Sequence, residues 1–322
     1  MVNLHSRVTR LGVLDIGSNT IHMLIVDAAP GARPDPEAST KSTVRLMQYL
    51  KEDGSIKKSG IEAVLVAVDQ CMKLAEEYDI TQLLALATSA IRDAPNGGKI
   101  LRKIEERIGQ SVTVLSGTDE ARLTFLAARR WYGWDAGRLL MLDIGGGSLE
   151  VAMGSDEEPT VALSVPAGAG RVTREFLPEG TASADELELA HKKVRKIIEP
   201  IVDSFPTSKH PAHAVGTSKT FRSLARLAGA VLRQSGREDT WIMTREQLED
   251  WIPRLAAIEP DQRVALPGIT PERTLQIVGG GIVADEIMKA LNVTEVEICP
   301  WALREGAILR WLDQFGRTSL GF

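Results

Sequence analysis

One ten-residue pattern occurs twice in this chain, as LDIGSNTIHM at 14–23 and as LDIGGGSLEV at 142–151. Each copy is an apolar run that ends in an aspartate, followed by isoleucine, glycine, three small residues and a second apolar run. Aligning Asp143 with Asp15 places Glu150 on His22. The separation between the copies is of domain size rather than of solenoid size. The repeat therefore predicts a duplicated domain.

The duplication sets the predicted domain organisation. We place the boundary near 131–137, which gives domains 1–133 and 134–322, with a terminal helix that returns to pack on the first. A length of 322 residues fits two domains. Strand patterns alternate with helical patterns along the chain, which indicates an α/β fold with helices packed on mixed sheets. Other predicted elements are a strand at 42–50, a helix at 61–80, a helix that starts near Thr118, and a helix at 183–203 whose segment 190–202 is expected to be a solvated basic face. A glycine turn between strand and helix is predicted at 278–283.

Composition excludes several classes of protein. The net charge is −5, whereas nucleic-acid binders usually carry a basic surplus. No apolar run reaches the roughly 18 residues needed to span a bilayer, and the N-terminus has no signal-peptide pattern. Cys71 and Cys299 match no ligand spacing, and the five histidines form no metal-binding motif. We expect a cytoplasmic protein with no nucleic-acid or membrane partner and no structural zinc.

The two small-residue turns have the composition of phosphate-binding loops. Glycine lets a ligand approach the backbone closely, and successive amides in such a turn form an anion-binding nest. An aspartate beside a phosphate requires a cation between them, so Asp15 is a candidate ligand for Mg²⁺. A tight β-hairpin turn explains either copy alone, but two copies in register favour paired loops that hold one substrate in an interdomain cleft. The predicted phosphate-binding residues are Gly17, Ser18, Asn19, Thr20, Gly145, Gly146, Gly147 and Ser148, with a weaker third loop at Gly216, Thr217, Ser218 and Lys219.

Three charged residues outside these turns are candidates for chemistry. Glu120 begins a helix after a strand, where it can orient and deprotonate water, although a helix-start acid favoured by the macrodipole explains it better from these residues alone. Arg92 lies in a loop and suits phosphate recognition, although it can also be a surface arginine paired with Asp93. Glu150 interrupts an otherwise apolar strand, which indicates a function. His22, at the same position in the first copy, fits a core histidine better.

Together, DIGSNTIHM, ATSAIRDAPNG, LSGTDEARL, DIGGGSLEV and WALREG resemble the exopolyphosphatase and guanosine pentaphosphate phosphohydrolase family from about residue 11 to 312. That family belongs to the actin, sugar kinase and heat-shock ATPase superfamily, so the resemblance implies two ribonuclease H-like domains flanking a cleft. It implies hydrolysis of phosphoanhydrides, with Glu120 as general base. Asp143 and Glu150 match acids associated with a divalent cation, Mg²⁺ or Mn²⁺. Arg92 and Arg45 match positions that would meet the polyanion.

The sequence departs from the family pattern at some positions, and the resemblance leaves several functions open. Lys219 stands where the family pattern has glycine, and can bind phosphate or crowd a nucleotide. Longer relatives carry further helical domains, so the expected substrate is shorter polyphosphate. A pppGpp 5′-phosphohydrolase is the nearest alternative; an acceptor-dependent kinase and a non-catalytic sensor of polyphosphate or nucleotide are others. A homodimer is expected from the family alone.

Overall fold

The computed structural model describes residues 8–205, 211–229, 231–235 and 238–320. These residues form two compact units. One contains the described residues up to Ser116 together with those from Leu303 onward, and the other is Gly117–Ala302. The division differs from the predicted boundary at 133/134, because the helix Gly117–Tyr132 packs on the strands that follow it. In the described residues, no helix is both long enough and apolar enough to cross a bilayer.

The first unit contains a five-stranded sheet of order β3-β2-β1-β4-β5. Strand β2 pairs antiparallel with both β1 and β3, and β4 and β5 continue the sheet on the other side of β1, parallel to it. The strands are β1 Thr9–Ile16, β2 Thr20–Ala28, β3 Ala38–Thr43, β4 Gln82–Ala87 and β5 Thr113–Val114.

Helices cover both faces of this sheet. The helices of the unit are α1 Lys58–Glu77, α2 Ser89–Arg92, α3 Gly97–Ile108 and α10 Leu303–Leu320. Leu14 and Ile16 belong to the core formed with α1 and α3. Because side chains alternate along a strand, Asp15 lies on the opposite face, where α10 contacts β1 and β2. The position of Asp15 in β1 therefore places its side chain on the face that α10 contacts.

The second unit contains a seven-stranded sheet of order β10-β11-β12-β9-β6-β7-β8. Five of its strands, in the order β8-β7-β6-β9-β12, have the same arrangement as the first sheet. An antiparallel meander, β6 to β8, is followed on the other side of β6 by two strands parallel to it. Antiparallel β11 and β10 extend the edge. The strands are β6 Leu139–Ile144, β7 Leu149–Gly154, β8 Val161–Val165, β9 His213–Gly216, β10 Val231–Ser235, β11 Glu238–Thr244 and β12 Glu295–Ile298.

Helix α4, Gly117–Tyr132, lies on one face of the second sheet. Phe125 of α4 belongs to a core cluster with Met141 of β6 and Ala152 of β7. Alternation places Asp143 and Glu150 on this same face. The opposite face packs on the larger core. The remaining helices of the unit are α5 Ala169–Phe176, α6 Ala184–Ser204, α7 Lys219–Leu227, α8 Arg245–Ala256 and α9 Ile277–Ala290.

The duplicated hairpin is confirmed at the level of register. Asp15 pairs with His22 across β1 and β2, and Asp143 pairs with Glu150 across β6 and β7. The α/β class and the helices at 61–80 and 183–203 are also confirmed, the latter with a capping box from Ser183 to Glu186.

Two sequence predictions of secondary structure are wrong. The predicted strand 42–50 is the end of β3 followed by the 3₁₀ helix Leu46–Tyr49, because Arg45 adopts a left-handed φ of 53° that stops the strand. The glycines of 278–283 are no turn; they lie inside α9, buried. A Cβ on Gly279 would lie 2.5 Å from Thr173 Oγ1, and one on Gly280 would lie 2.7 Å from Thr220 Cγ2. These glycines let α9 pack closely on α5 and α7, and they form no phosphate loop.

Candidate active site

The loop between β6 and β7 is held on its carbonyl side by α5. The amide of Gly145 donates to the Ser148 carbonyl at 3.0 Å and closes the turn. The Gly145 and Gly146 carbonyls accept from backbone amides in the first turn of α5, at 2.9 and 3.0 Å. The Gly147 carbonyl accepts from the Arg171 side chain at 2.9 Å. The loop carbonyls are therefore occupied before any ligand arrives.

The amide side of this loop is open to a ligand. Within the described part of the chain, no hydrogen bond is formed by the amides of Gly146, Gly147 and Ser148. Gly168 packs directly beneath them, since a Cβ on it would lie 2.4 Å from the Ser148 nitrogen. Successive amides with no protein acceptor are the groups that an anion-binding nest presents. Phosphate binding by this loop stays a prediction, and the packing of Gly168 beneath it has no local sequence signal.

Two carboxylates lie on the α4 face beside this loop. Asp143 Oδ2 accepts a hydrogen bond from the Thr217 hydroxyl, and Glu150 Oε1 accepts one from Ser164 at 2.8 Å. Glu150 is 4% exposed. Oxygen donors of this kind suit a hard divalent cation. The predicted metal ligands of the second copy are therefore neighbours on one surface, with Ser164 as a partner that the sequence did not indicate.

Glu120 lies on the same unit, one residue before the core-facing Ala121 of α4. It is 7% exposed in the first turn of the helix, where the macrodipole favours a carboxylate. Gly117 lets the start of this helix approach β8 closely, because a Cβ added there would lie 2.4 Å from Ser164 Cβ. Ser164 thus contacts both the helix that carries Glu120 and the carboxylate of Glu150.

The loop between β1 and β2 has the same closure as the second loop. The Gly17 amide donates to the Thr20 carbonyl at 3.0 Å. The Asn19 carbonyl accepts from the Arg45 amide at 2.9 Å, and the Ser18 hydroxyl lies 2.9 Å from that of Ser89. The first loop, the left-handed Arg45 and the start of α2 are therefore assembled together, and contact of the Arg45 side chain with phosphate stays a prediction.

The acid of the first copy has a different environment from that of the second. Asp15 Oδ2 accepts from Arg304 Nη1 at 3.2 Å. Burial raises the pKa of Asp15, and the charge of Arg304 opposes that rise. Burial, with smaller contributions from Arg304 and Lys41, lowers the pKa of His22 to about 3. His22 is therefore neutral at physiological pH, unlike the carboxylate at the matching position.

The other predicted anion ligands differ in how far the structure brings them to a loop. Arg92 ends α2 and donates to the Leu115 carbonyl at 2.9 Å and to Asp93 at 3.1 Å, the pairing expected of a surface arginine. Lys219 Nζ lies 3.3 Å from Thr270 Oγ1 and 3.7 Å from a carboxylate oxygen of Glu272.

In the third predicted loop, each residue has a structural contact. Gly216 packs on Phe221, because a Cβ added to Gly216 would lie 2.6 Å from Cγ of Phe221. Ser218 caps α7, and Thr217 binds Asp143. These contacts place the segment beside the acids of the second copy, and its role in binding phosphate stays a prediction.

Arg273 was not identified from the sequence. It is 9% exposed and donates to the Thr220 hydroxyl at 2.9 Å, which in turn donates to the Ile144 carbonyl at 2.8 Å. Burial and the neighbouring Arg222 lower its pKa to about 10, while Asp143 opposes that shift. Its buried charge thus lies within electrostatic reach of Asp143. No local pattern distinguishes this arginine from the others in the sequence.

A separate charged cluster lies beside a cavity of about 370 Å³ between α6 and α8. His191 Nδ1 lies 2.8 Å from Glu286 Oε1, and Arg195 donates to both oxygens of Glu286. Burial opposes ionisation of Glu286, but hydrogen bonds from His191 and Arg195 lower its pKa to about 2. Asp285 completes a group able to hold a metal ion. The helix face 190–202 is therefore partly an ion-paired packing surface, which corrects the prediction of a solvated one.

Comparisons with known proteins agree with this architecture. Residues 24–315 match the Ppx/GppA phosphatase family. The chain is 47% identical over 94% of its length to Exopolyphosphatase 1 of Mycobacterium bovis and covers 88% of that protein. It is 45% identical to Exopolyphosphatase 1 of Mycobacterium leprae, over 94% of this chain and 90% of that one.

Solved structures share the fold. The crystal structure of an exopolyphosphatase from Cytophaga hutchinsonii has a TM-score of 0.84 at 23% identity, covering 95% of this chain and 98% of that one. The Aquifex aeolicus Ppx/GppA family member has a TM-score of 0.74 at 22% identity, covering 95% and 99%. The expected α/β fold class with two sheet-containing domains is confirmed, and the chain shares the fold of these structures. The chain belongs to the Ppx/GppA phosphatase family.

Proposed function

We propose that this protein is an exopolyphosphatase that hydrolyses the terminal phosphoanhydride bond of inorganic polyphosphate. The observation that carries the proposal is the grouping of Glu120, Asp143 and Glu150 on one face of the second unit, beside a loop with open amides. The naming of relatives at 45–47% identity as Exopolyphosphatase 1 supports the substrate class.

The donor set fits the expected divalent cation. Asp143 and Glu150 are register partners on adjacent strands, so their carboxylates leave the same face of the sheet. Both offer oxygen ligands, which Mg²⁺ prefers, and Mn²⁺ accepts the same donors. We propose that these two acids hold the cation. When bound, it would neutralise phosphate charge that the two carboxylates would otherwise repel.

The chain's own residues have three tasks in this proposal. The amides of 146–148 bind the phosphate oxygens, and no reorganisation of the loop is needed because its carbonyls are already bonded. Thr217 and Ser164 orient Asp143 and Glu150 by donating hydrogen bonds. Glu120 accepts a proton from the attacking water and holds that water in line with the bond that breaks.

The test is a substrate panel combined with two variants in the first turn of α4. The panel contains short polyphosphate, long polyphosphate and pppGpp. Wild-type protein with Mg²⁺ or Mn²⁺ is expected to release phosphate from polyphosphate faster than from pppGpp and without an added acceptor. Glu120→Gln should lower kcat by about 10²–10⁴-fold, the usual contribution of a general base, while retaining polyphosphate binding. Asp119→Asn is the matched control, because Asp119 is exposed on the same turn.

Each alternative function gives a different result in this panel. Faster release from pppGpp than from any polyphosphate would make the protein a pppGpp phosphohydrolase. Release that requires an acceptor would indicate a kinase, and tight binding without hydrolysis would indicate a sensor. Near-normal kcat in Glu120→Gln would exclude Glu120 as the base.

A further inference from the structure

Arg304 connects the C-terminal helix to the first loop, and the proposed function leaves it without a role. It lies in the first turn of α10, and its Nη1 donates to Asp15 at 3.2 Å. The side chains are 22% and 13% exposed, so the pair is largely shielded from water. For its Nε, which is buried, no hydrogen-bond partner exists among the described residues. An ion pair this sheltered is screened less by salt than a surface pair.

Helices α10 and α4 occupy equivalent positions in the two units. α4 lies on the face of the second sheet that carries Asp143, and α10 contacts the strands whose matching face carries Asp15. In each case the first turn of the helix brings a charged side chain, Glu120 in α4 and Arg304 in α10. The first turn of α10 also carries Glu305, so what distinguishes the first copy is that an arginine on this helix, Arg304, contacts the hairpin aspartate.

The acid partners of the two copies differ accordingly. Asp15 is hydrogen-bonded directly by a guanidinium, whereas Asp143 accepts a hydrogen bond from the Thr217 hydroxyl and lies within electrostatic reach of Arg273. The register partner of Asp143 is the carboxylate of Glu150, and that of Asp15 is His22. A lone carboxylate next to a nest of amides repels phosphate, because two anions at short range repel each other strongly in a partly buried site. The pair with Arg304 removes that repulsion.

We propose that Arg304 is a positioning residue for the first loop: it neutralises Asp15, so that the loop binds a phosphate group without a cation of its own. Cation binding is then confined to the second copy. This inference rests on the proposed function for its substrate, and it departs from the expectation that Asp15 is a ligand of Mg²⁺. The observation behind it is the Arg304–Asp15 pair at the end of the strand that leads into the loop.

The experiment breaks the pair and then restores neutrality. Arg304→Gln leaves Asp15 without its guanidinium partner, and Arg304→Gln combined with Asp15→Asn leaves two neutral side chains. Arg10→Gln is the control, since it breaks the Arg10–Asp27 pair at the opposite end of the same hairpin. Each protein is assayed for kcat, KM and the Mg²⁺ concentration at half-maximal rate. Binding of inorganic tripolyphosphate is measured separately by calorimetry in the presence of Mg²⁺.

Arg304→Gln should raise KM and the tripolyphosphate Kd by about tenfold or more, with a smaller change in kcat, because an uncompensated carboxylate opposes anion binding. The double variant should regain most of that affinity and keep the Mg²⁺ requirement of the wild type. Arg10→Gln should change neither quantity by more than about twofold, as for other exposed ion pairs.

Two results would overturn the inference. If the double variant binds no better than Arg304→Gln, the role of Arg304 is structural; if its Mg²⁺ requirement rises tenfold, Asp15 is a metal ligand. Arg304→Lys keeps the charge and should bind tripolyphosphate nearly as well as the wild type. Should Arg304→Gln fail to fold, this variant carries the test, and a tenfold loss of affinity in Arg304→Lys contradicts neutralisation of Asp15 as the role of Arg304. The calorimetric test does not depend on turnover, so a wild type that hydrolyses no polyphosphate refutes the proposed function and leaves this test in force.

Discussion

At the scale of single residues, one side chain distinguishes the two hairpins. His22 and Glu150 occupy the same register position, opposite Asp15 and Asp143. The histidine is neutral because burial holds its pKa near 3, whereas the glutamate side chain accepts a hydrogen bond from Ser164. The repeat predicted this difference from the sequence alone, because alignment and strand alternation are local properties of the chain.

The neutral His22 makes stability depend on pH. Its folded pKa of about 3 lies below the unfolded value of 6.5, so between these values the unfolded chain binds a proton that the folded chain does not. Stability should therefore be complete above pH 6.5 and fall as the pH drops toward 3. Between pH 7.5 and 5.0 the loss from His22 amounts to about 2 kcal/mol.

The measurement is denaturant unfolding of wild type and His22→Gln at both pH values. Glutamine does not titrate, so the wild type should lose about 2 kcal/mol more than the variant on acidification. An equal loss in both proteins would show that His22 is protonated in the folded state. The comparison removes the contribution of every other titrating group that the two proteins share.

At the scale of elements, α5 prepares the second loop. Backbone amides in its first turn donate hydrogen bonds to the loop carbonyls, while Gly168 packs against the backbone of 146–148. The sequence predicted the loop but not this support, because the contact joins residues about twenty positions apart and depends on how β8 returns. The glycines of α9 misled the prediction for the related reason that helix packing and turn formation select the same residue.

Gly168→Ala should damage the loop. The added Cβ would lie 2.4 Å from the Ser148 nitrogen and 2.5 Å from the Gly146 carbonyl carbon, and backbone atoms cannot rotate away. We expect a loss of about 1–3 kcal/mol in stability, as for overpacked sites, together with a raised KM for polyphosphate. Thermal denaturation and steady-state kinetics measure the two effects.

The control for this prediction is Gly98→Ala. Gly98 is exposed in α3, and a Cβ there meets nothing within 4 Å. Alanine is a better helix former than glycine, so this variant should be as stable as the wild type or slightly more so. If Gly168→Ala behaved like Gly98→Ala, α5 would not be what holds the loop.

At the scale of the molecule, the two units are not two successive halves of the chain. α4 precedes the second sheet and belongs to it, and α10 follows the second unit in sequence but belongs to the first. The sequence predicted two domains and the return of a terminal helix, but it assigned α4 to the first domain. Its apolar stripe at helical spacing shows that α4 is buried and does not show against which sheet.

Protein fragments test this division. Residues 117–302 should unfold cooperatively when expressed alone, because that unit is continuous and keeps α4 on its sheet. Residues 134–302 lack α4 and should expose the surface of Met141 and Ala152 that Phe125 covers. We expect that shorter fragment to aggregate or to bind a hydrophobic dye. Equal cooperativity in both fragments would contradict the assignment of α4.

The place of α10 also sets an order of events during synthesis. Residues 303–320 leave the ribosome after all of 117–302, and domains fold largely as units as they emerge. The second unit can therefore be complete while the first sheet still lacks the helix that covers Asp15. A nascent chain has its proposed cation ligands before it has Arg304. A chain terminated before residue 303 would therefore carry the first loop with an unneutralised Asp15.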